Sequence, residues 1–252
     1  MAYNIAYYMD IGLRETQEDC LLIDGRIAQE TTGNVLRERI TASEVFLAVC
    51  DGMGGHTRGE WASRFICERL RDFLKTSPFL RESTLAMFRK IQYEMEEDGV
   101  ANSGSTLACV EVKNNAANVY NIGDSRVYKL TEKEISVLSH DHSLIQSMVD
   151  KGHLSNDEVR SHPYRHILEF GMGGVFAKQW RTSGKEIYFR EDVLNAKEYY
   201  LLCSDGVHDV MTDGEMHDLL CPDPFGKLPE FIGRLRERMQ DNASFIVIGN
   251  EE

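Results

Sequence analysis

Residues 45–56, which read VFLAVCDGMGGH, are the stretch from which the fold and the chemistry are inferred. An apolar, strand-like run leads directly into Asp51 and Gly52. Three glycines lie within the four residues after Asp51, so the backbone there can turn sharply and bring a carbonyl, such as that of Gly52, close to a cation. A glycine-rich loop alone is a weak signal, and this one lacks the lysine and the spacing of nucleotide-binding loops. Its meaning depends on the rest of the chain.

The same device, an apolar strand that runs into an aspartate beside a glycine, occurs three times. NVYNI leads to Asp124 within GDS, and YYLLCS leads to Asp205 followed by glycine. Aspartate is disfavoured inside strands, so one case alone would only mark a strand end or a turn. Two further acidic sites, residues 18–19 (ED) and residues 241–242 (DN), precede other apolar runs. The repetition predicts that up to five carboxylates meet in one place.

A cluster of carboxylates needs compensating charge. Like charges within a few ångströms raise one another's pKa values or force the site apart. Hard divalent cations remove this conflict because Mg²⁺ and Mn²⁺ prefer oxygen ligands. The six cysteines form no C-x-x-C pair that would indicate zinc. The sequence therefore predicts Mn²⁺ or Mg²⁺ as cofactor.

The pattern of apolar residues predicts an α+β fold. Strand-like runs occur at 3–10, 45–50, 105–113, 117–122, 126–130, 186–190, 198–203 and 244–249. Helical periodicity occurs at 59–75, 78–97, 143–151, 155–160, 213–220 and 225–239. Strands mostly follow one another along the chain, which favours antiparallel sheets in a layered sandwich with paired helices. Residues 171–185, with four glycines, are predicted to form a mobile loop.

Composition limits the classes of protein and partner. The 252 residues suit one large domain, 1–252. The 41 acidic residues outnumber the 28 basic ones, which argues against nucleic acid as a partner. The scattered cysteines indicate buried, reduced thiols. The N-terminus does not resemble a signal peptide, and no apolar run approaches the roughly 18 residues that span a bilayer. A cytoplasmic protein with no membrane partner is therefore expected.

Taken in order, the motifs resemble those of the PPM family, the metal-dependent serine/threonine protein phosphatases of type 2C, and especially its bacterial branch. The resemblance covers nearly the whole chain. It is carried by residues 14–19 (RETQED), 51–56 (DGMGGH), 59–60 (GE), 104–106 (GST), 121–126 (NIGDSR), 141–144 (DHSL), 162–163 (HP), 204–206 (SDG) with Asp209, and 241–242 (DN).

The resemblance implies a single catalytic domain in which two antiparallel sheets pack face to face between pairs of helices. This is a four-layer α-β-β-α sandwich, with a flap-like segment at about 141–185. It implies hydrolysis of phosphoserine and phosphothreonine in proteins, with a water that bridges two metal ions as the nucleophile. The implied partners are phosphoprotein substrates, namely those of a serine/threonine kinase.

The resemblance also assigns roles to individual residues. Asp51 would bridge two Mn²⁺ or Mg²⁺ ions, and Asp205 and Asp241 would complete the shell of one of them. Asp19 and the Gly52 carbonyl would bind the other ion. The remaining roles are these: Glu18 would hold that ion's waters, Arg14 would bind the phosphate with Asp51 at the reacting centre, and Asp124, Asp205 and Asp209 would form a weaker third metal site.

Some positions depart from the family's pattern. Met53 stands where some members have a histidine that is a proposed general acid, and His56 is predicted to pack or cap the next helix. Residues 166–173 (HILEFGMG) stand where relatives read something like NVLTRALG, so that Phe170 takes the place of an arginine. The histidines of the flap region are expected to be surface or hydrogen-bonding residues rather than metal ligands: His142, His153, His162 and His166.

Two other functions remain open from the sequence. A catalytically weak member of the family could act as a binding module that captures a phosphoprotein or a kinase. A hydrolase of small phosphate esters would share the same carboxylate core. Residues 166–173, which depart from the family's pattern, are the reason to consider the binding module. The retained set of metal-binding carboxylates disfavours it.

Overall fold

Two antiparallel sheets form the centre of the computed structural model, which describes residues 1–54, 58–76, 80–97, 102–160 and 162–250. With strands numbered in chain order, the first sheet runs β10-β9-β12-β13-β1-β4. Its strands are β1 (Ala2–Asp10), β4 (Leu36–Thr41), β9 (Arg126–Leu130), β10 (Ile135–Val137), β12 (Tyr199–Cys203) and β13 (Ala243–Asn250).

The second sheet runs β11-β8-β7-β5-β2-β3, and β6 pairs with the end of β5. Its strands are β2 (Asp19–Ile23), β3 (Arg26–Ala28), β5 (Glu44–Gly54), β6 (Ser103–Ser105), β7 (Leu107–Lys113), β8 (Ala116–Ile122) and β11 (Tyr188–Val193). Every pairing between these strands is antiparallel, as predicted from the direct succession of strands along the chain.

Helices cover the outer face of each sheet. Helices α1 (Arg58–Leu74) and α2 (Arg81–Glu97) pack on the second sheet, and α7 (Asp213–Leu220) and α8 (Pro224–Arg236) pack on the first. In α1, Phe65, Ile66 and Leu70 recur at helical spacing and are buried. Shorter helices are α3 (Leu144–Asp150), α4 (Asn156–Val159), α5 (Ala177–Thr182) and α6 (Asp205–His208).

Three buried clusters give the order of the layers. One contains side chains from both sheets, such as Tyr7, Val49 and Ile246, and fills the space between them. The second joins the sheet of β5 to α1 and α2, and the third joins the sheet of β13 to α7 and α8. The predicted α+β sandwich with four layers is confirmed. None of the described helices is long and apolar enough to cross a membrane.

Several predicted details were wrong or incomplete. Strands β2, β3, β4 and β10 were not predicted, because they are short or, like β4, carry charged residues at an exposed edge. The predicted mobile loop at 171–185 instead contains a 3₁₀ turn (Gly174–Phe176) and α5. Pro78, predicted to begin the second helix, and His56 both lie outside the described residues. All six cysteines are free thiols, as predicted, and all except the half-buried Cys221 are buried.

Candidate active site

Strand pairing brings the predicted carboxylates together from distant parts of the chain. In the second sheet, Asp19 of β2 lies directly opposite Asp51 of β5. In the first sheet, β12 and β13 pair, so Asp205 after β12 and Asp241 before β13 reach the same end of the sandwich. Asp124 follows β8 in the turn that leads to β9. The five aspartates therefore approach one another from both sheets.

These strand ends border an open cleft of about 500 Å³. Five acidic side chains line it, together with one arginine, one histidine, one asparagine and three apolar side chains. They are Glu18, Asp51, Asp124, Asp205 and Asp241, then Arg14, His166 and Asn242, then Met53, Leu168 and Phe176. The predicted convergence of carboxylates around a single cavity is therefore present in the structure.

Burial and mutual repulsion raise the pKa values of several carboxyl groups at the cleft. The pKa of Asp51 is raised well above its usual range by burial and by the charges of Asp205, Asp19 and Asp124. Burial and the neighbouring carboxylates raise the pKa of Asp205 to about 6 and that of Asp19 to about 7. A bound divalent cation would remove this repulsion, so the donor set fits hard metal ions.

Asp51 and Gly52 are held by their backbone. The Asp51 amide donates to the Thr106 hydroxyl (3.0 Å), and the Thr106 amide donates back to the Asp51 carbonyl (2.9 Å). The Gly52 amide donates to the Glu18 carbonyl (3.1 Å). These bonds give a structural role to Thr106 of the motif at residues 104–106, because Thr106 fixes the segment of β5 that presents Asp51 to the cleft.

Replacing Gly52 with alanine is expected to lower the free energy of unfolding by about 2 kcal/mol or more, because the new methyl group would overpack the backbone. A Cβ at this position would lie 2.1 Å from the Gly59 carbonyl oxygen and 2.5 Å from that of Glu18. Gly214→Ala in α7 is the control, since nothing lies within 4 Å of a Cβ there. Urea denaturation of both variants tests this, and equal unfolding midpoints for Gly52→Ala and the native chain would contradict it.

Asp19 and Glu18 occupy different environments. Asp19 is fully buried, and its Oδ2 accepts a hydrogen bond from the Ser204 hydroxyl (2.9 Å), while Oδ1 has no hydrogen-bond partner among the described residues. Glu18 lines the cleft and Asp19 does not. Successive side chains of an extended chain point to opposite sides, so only one of these two can face the cavity. Glu18 therefore lies at the cavity and Asp19 lies behind it, and the metal-binding roles of both residues stay predictions.

Arg14 lies at the mouth of the cleft. Its guanidinium pairs with the Asp241 carboxylate, and its side chain is 53% exposed. An exposed guanidinium paired with a cleft carboxylate can exchange that partner for phosphate oxygens at low cost. The location agrees with the phosphate-binding role that the sequence resemblance implies.

Three further residues support the site: Asn242 of the 241–242 motif, His142, which was expected to be a surface or hydrogen-bonding residue, and His208, which had not been recognised from the sequence. Asn242 donates to the carbonyls of Ile11 and Thr16 (both 3.0 Å) and accepts from the Glu18 amide (2.6 Å), so it braces the loop that carries Arg14. His208 and His142 hold the turn of Asp124. The following bonds do so: His208 Nε2 to the Asp124 carbonyl (3.0 Å) and the Gly123 amide to His142 Nδ1 (3.1 Å). Burial lowers the pKa of both histidines, so both imidazoles are neutral.

The segment that departs from the family's pattern has its own anchors. Phe170 is buried and stacks against Trp180, with 4.8 Å between ring centroids. Glu169 accepts from Lys185 (2.6 Å) and from the Ser147 hydroxyl (2.5 Å). The backbone amide of Gly173 also donates a hydrogen bond to the Gln92 side chain (2.7 Å), which attaches this segment to α2. Phe170 therefore replaces the expected arginine with an apolar contact.

Asp209 lies outside the main cleft. It borders a neighbouring cavity of about 660 Å³ together with Asp124, Asp205 and His166. Of the predicted third-site residues, Asp124 and Asp205 line both cavities, and Asp209 lines only the second. The two cavities meet at Asp124 and Asp205.

Comparison with known proteins gives consistent matches. A family model described as Protein phosphatase 2C matches residues 35–241. The serine/threonine protein phosphatase PstP of Mycobacterium tuberculosis is 31% identical over 186 residues, which is 70% of this chain and 34% of that protein. The chain thus spans about a third of PstP. The serine/threonine phosphatase stp of Listeria welshimeri is 29% identical over 210 residues, or 78% of this chain and 79% of that protein.

A solved structure matches this fold over nearly the whole length of both chains. The catalytic domain of PstP, crystallised in complex with two manganese ions, superposes with a TM-score of 0.75. The match covers 99% of this chain and 99% of that domain at 23% sequence identity. It shows that the two chains share a fold.

Proposed function

The chain belongs to the protein phosphatase 2C family, and we propose that it hydrolyses phosphoserine and phosphothreonine in proteins with the help of divalent metal ions. The observation that carries the proposal is the convergence of Asp51, Asp205 and Asp241 in one cleft with Arg14. These residues are up to 227 positions apart in sequence, as the Arg14–Asp241 pair shows. Aspartates that only terminate strands would not need to lie together in one cleft with an arginine.

Two Mn²⁺ or Mg²⁺ ions are the proposed core cofactors. Asp51 would contact both ions, with Asp205 and Asp241 on one and the Gly52 carbonyl and Glu18 on the other. When bound, the ions would supply an acidified water as nucleophile and offset charge on the phosphoryl oxygens. The raised pKa values of Asp51 and Asp205 in this cluster support a cation nearby. The manganese ions of the related PstP domain add support.

Protein side chains would prepare the substrate for that attack. Arg14 would orient the phosphate by donating to two of its oxygens, which the planar guanidinium matches in shape. Asp19, fixed by Ser204, would keep negative charge behind the metal-binding carboxylates. Met53, Leu168 and Phe176 would contact apolar parts of the substrate beside the phosphate.

Replacing Arg14 with lysine is expected to lower kcat/KM for a phosphothreonine peptide by about 10- to 100-fold, because one charge-assisted hydrogen bond is worth about 1.5–3 kcal/mol. Lysine keeps the charge and loses the two-pronged contact. Arg64→Lys is the matched control, since Arg64 is also 53% exposed and pairs with Glu68 away from the cleft. Steady-state kinetics of both variants check this, and an unchanged kcat/KM for Arg14→Lys would contradict the phosphate-binding role.

The proposed activity is tested by comparing substrates with and without metal. The purified chain should hydrolyse a phosphothreonine peptide with Mn²⁺, with a higher kcat/KM than for a small aryl phosphate. Faster turnover of the small ester would favour the hydrolase of small phosphate esters instead. Mn²⁺-independent capture of the phosphopeptide without hydrolysis would favour the binding module.

Partners and location complete the proposal. The proposed substrates are phosphoproteins modified by a serine/threonine kinase; the relatives PstP and stp are named serine/threonine phosphatases. A cytoplasmic location is proposed because six free thiols suit a reducing compartment. The surplus of acidic residues disfavours nucleic acid as a partner.

A further inference from the structure

One amide side chain interrupts the largely apolar, buried face of α2. Gln92 is only 3% exposed, and its neighbours on that face, Ile91 and Met95, are apolar. A buried amide is costly unless both its oxygen and its nitrogen form hydrogen bonds. Gln92 does not line the catalytic cleft, so its hydrogen-bond partners indicate what the amide supports.

The Gln92 amide binds the backbone of Gly173, in the flap-like segment, at two points. Gln92 Oε1 accepts a hydrogen bond from the Gly173 backbone amide (2.7 Å), and Nε2 donates to the Gly173 carbonyl (3.1 Å). Nε2 also donates to Glu96 (2.8 Å), one turn further along α2. Glu96 in turn forms an ion pair with Arg181 of α5 (2.6 Å). The amide therefore fixes both the position and the orientation of the backbone at Gly173.

A first connection leads from Gly173 to Phe176, an apolar wall of the cleft. The Gly173 carbonyl that accepts from Gln92 also accepts from the Phe176 amide (3.1 Å). This second bond closes the 3₁₀ turn (Gly174–Phe176), which carries the Phe176 ring to the cleft. Because one carbonyl oxygen holds both Gln92 and the turn, loss of the Gln92 amide would release the turn on the side of α2.

A second connection leads to Met53, another apolar wall of the cleft. Met172, immediately before Gly173, exchanges two backbone hydrogen bonds with Ser105 of β6 (both 2.8 Å). Strand β6 pairs in turn with the end of β5, which includes Met53. The fit at this point is close, since a Cβ on Gly173 would lie 2.6 Å from the carbonyl oxygen of Ser103. The Gly173 backbone therefore packs directly against the strand that supports Met53.

We infer that Gln92 is a positioning residue, which holds the flap so that Phe176 and Met53 form a fixed wall for the substrate protein. The inference rests on the proposed function, because only a bound phosphoprotein gives this wall a role in turnover. Gln92 acts through the flap, since it does not line the cleft itself. The bonds between Thr106 and Asp51 do not involve Gln92, so the chemical step should not depend on it.

This role predicts a difference between large and small substrates. A phosphothreonine peptide would contact the cleft wall, whereas a small aryl phosphate would be held mainly by Arg14 and the metal ions. Gln92→Met leaves two buried backbone groups of Gly173 without a partner, so it should raise KM for the peptide by about fivefold or more. The kcat for the peptide and the kcat/KM for the aryl phosphate should both stay within about twofold of the native values.

The test combines kinetics with hydrogen exchange on the full chain in saturating Mn²⁺. Methionine has a similar length to glutamine but offers no acceptor to the Gly173 amide. Deuterium exchange within residues 170–177 should therefore be at least about tenfold faster in Gln92→Met than in the native chain. In a Phe176→Ala background, Gln92→Met should change KM for the peptide by less than about twofold, because both substitutions act on the same wall.

Met87→Ala is the matched control. Met87 is buried on the same helix, but it lines the groove between α1 and α2, so this substitution lowers stability without removing the bonds to Gly173. Its exchange within residues 170–177 and its KM for the peptide should stay within about twofold of the native values. A Met87→Ala chain that matches Gln92→Met in both measurements would overturn the inference, because general destabilisation would then explain the effect.

An unchanged KM for the peptide in a folded Gln92→Met chain would overturn the inference, whether or not exchange becomes faster. Equal losses of kcat/KM for the peptide and the aryl phosphate would also overturn it, since they would indicate a change at the catalytic centre. Gln92→Asn, whose shorter amide cannot span the same distances to Gly173, is the second variant if Gln92→Met does not fold. Failure of both variants to fold would show that Gln92 supports the whole fold and not this wall. A native chain that hydrolyses neither substrate would instead contradict the proposed function.

Discussion

Replacing Asp51 with asparagine is expected to lower kcat/KM for a phosphothreonine peptide by at least about a thousandfold, because metal ions contribute several kcal/mol to the transition state. Asp51 is the carboxylate whose pKa is influenced by Asp205, Asp19 and Asp124 together. Asparagine has nearly the same shape but cannot bridge two cations. Steady-state kinetics with saturating Mn²⁺ measure the loss.

The same variant should remain folded, which separates chemistry from stability. Removing one acid from a repelling cluster should raise the thermal midpoint of the metal-free protein at pH 8. Asp192→Asn is the control, because Asp192 lies on β11, outside the cleft. Its carboxylate forms an ion pair with Lys129 (3.1 Å) and accepts a hydrogen bond from the Tyr200 hydroxyl (2.8 Å). Its kcat/KM should stay within about twofold of the native value. Near-native activity of Asp51→Asn would contradict the two-metal account.

The stability of the metal-free protein is expected to fall as the pH rises from about 4 to about 7, by an order of a few kcal/mol. The pKa of Asp205 in the folded chain is about 6 and that of Asp19 about 7, both above the usual value of 3.8. Within this pH window the folded chain retains protons that the unfolded chain releases, so each rise in pH favours unfolding. In chelator, the thermal midpoint should drop by at least about 5 °C.

Added Mn²⁺ should act in the opposite direction. Because the ions bind deprotonated carboxylates, saturating Mn²⁺ should raise the thermal midpoint more at pH 8 than at pH 5. Asp205→Asn should flatten the pH dependence in chelator, whereas Asp192→Asn should leave it unchanged. Differential scanning calorimetry across the pH range provides both comparisons. A metal-free protein that becomes more stable between pH 5 and pH 8 would contradict the proposed protonation of the cluster.

The aspartates that lie next to strand ends could be predicted from the sequence. Each apolar run that enters an aspartate marks where a strand leaves the core, and antiparallel pairing brings such ends together. Asp124, Asp205 and Asp241 meet for this reason, whereas Asp51 lies within β5, which continues to Gly54, and strand pairing places it opposite Asp19. The helix α1 was equally clear, because its buried residues recur at helical spacing over 17 residues.

Other features depend on tertiary contacts that no local pattern reveals. Whether Glu18 or Asp19 faces the cleft depends on the alternation of β2, a five-residue strand that propensity did not identify. His208 gave no signal because its role is to hold a carbonyl 84 positions away in sequence. The ordered flap was missed because its glycines suggested a loop, while the anchors of Phe170 and Gly173 come from Trp180 and Gln92.

Anomalous scattering from a Mn²⁺-soaked crystal tests the central claim most directly. Data collected at the manganese edge should show two strong peaks about 3.5–4 Å apart, the usual spacing of a two-metal site. Both peaks should contact the Asp51 carboxylate, with Asp205 and Asp241 on one of them. An absence of peaks in this cleft, or peaks confined to surface carboxylates elsewhere, would contradict the claim that these aspartates form a metal-binding catalytic site.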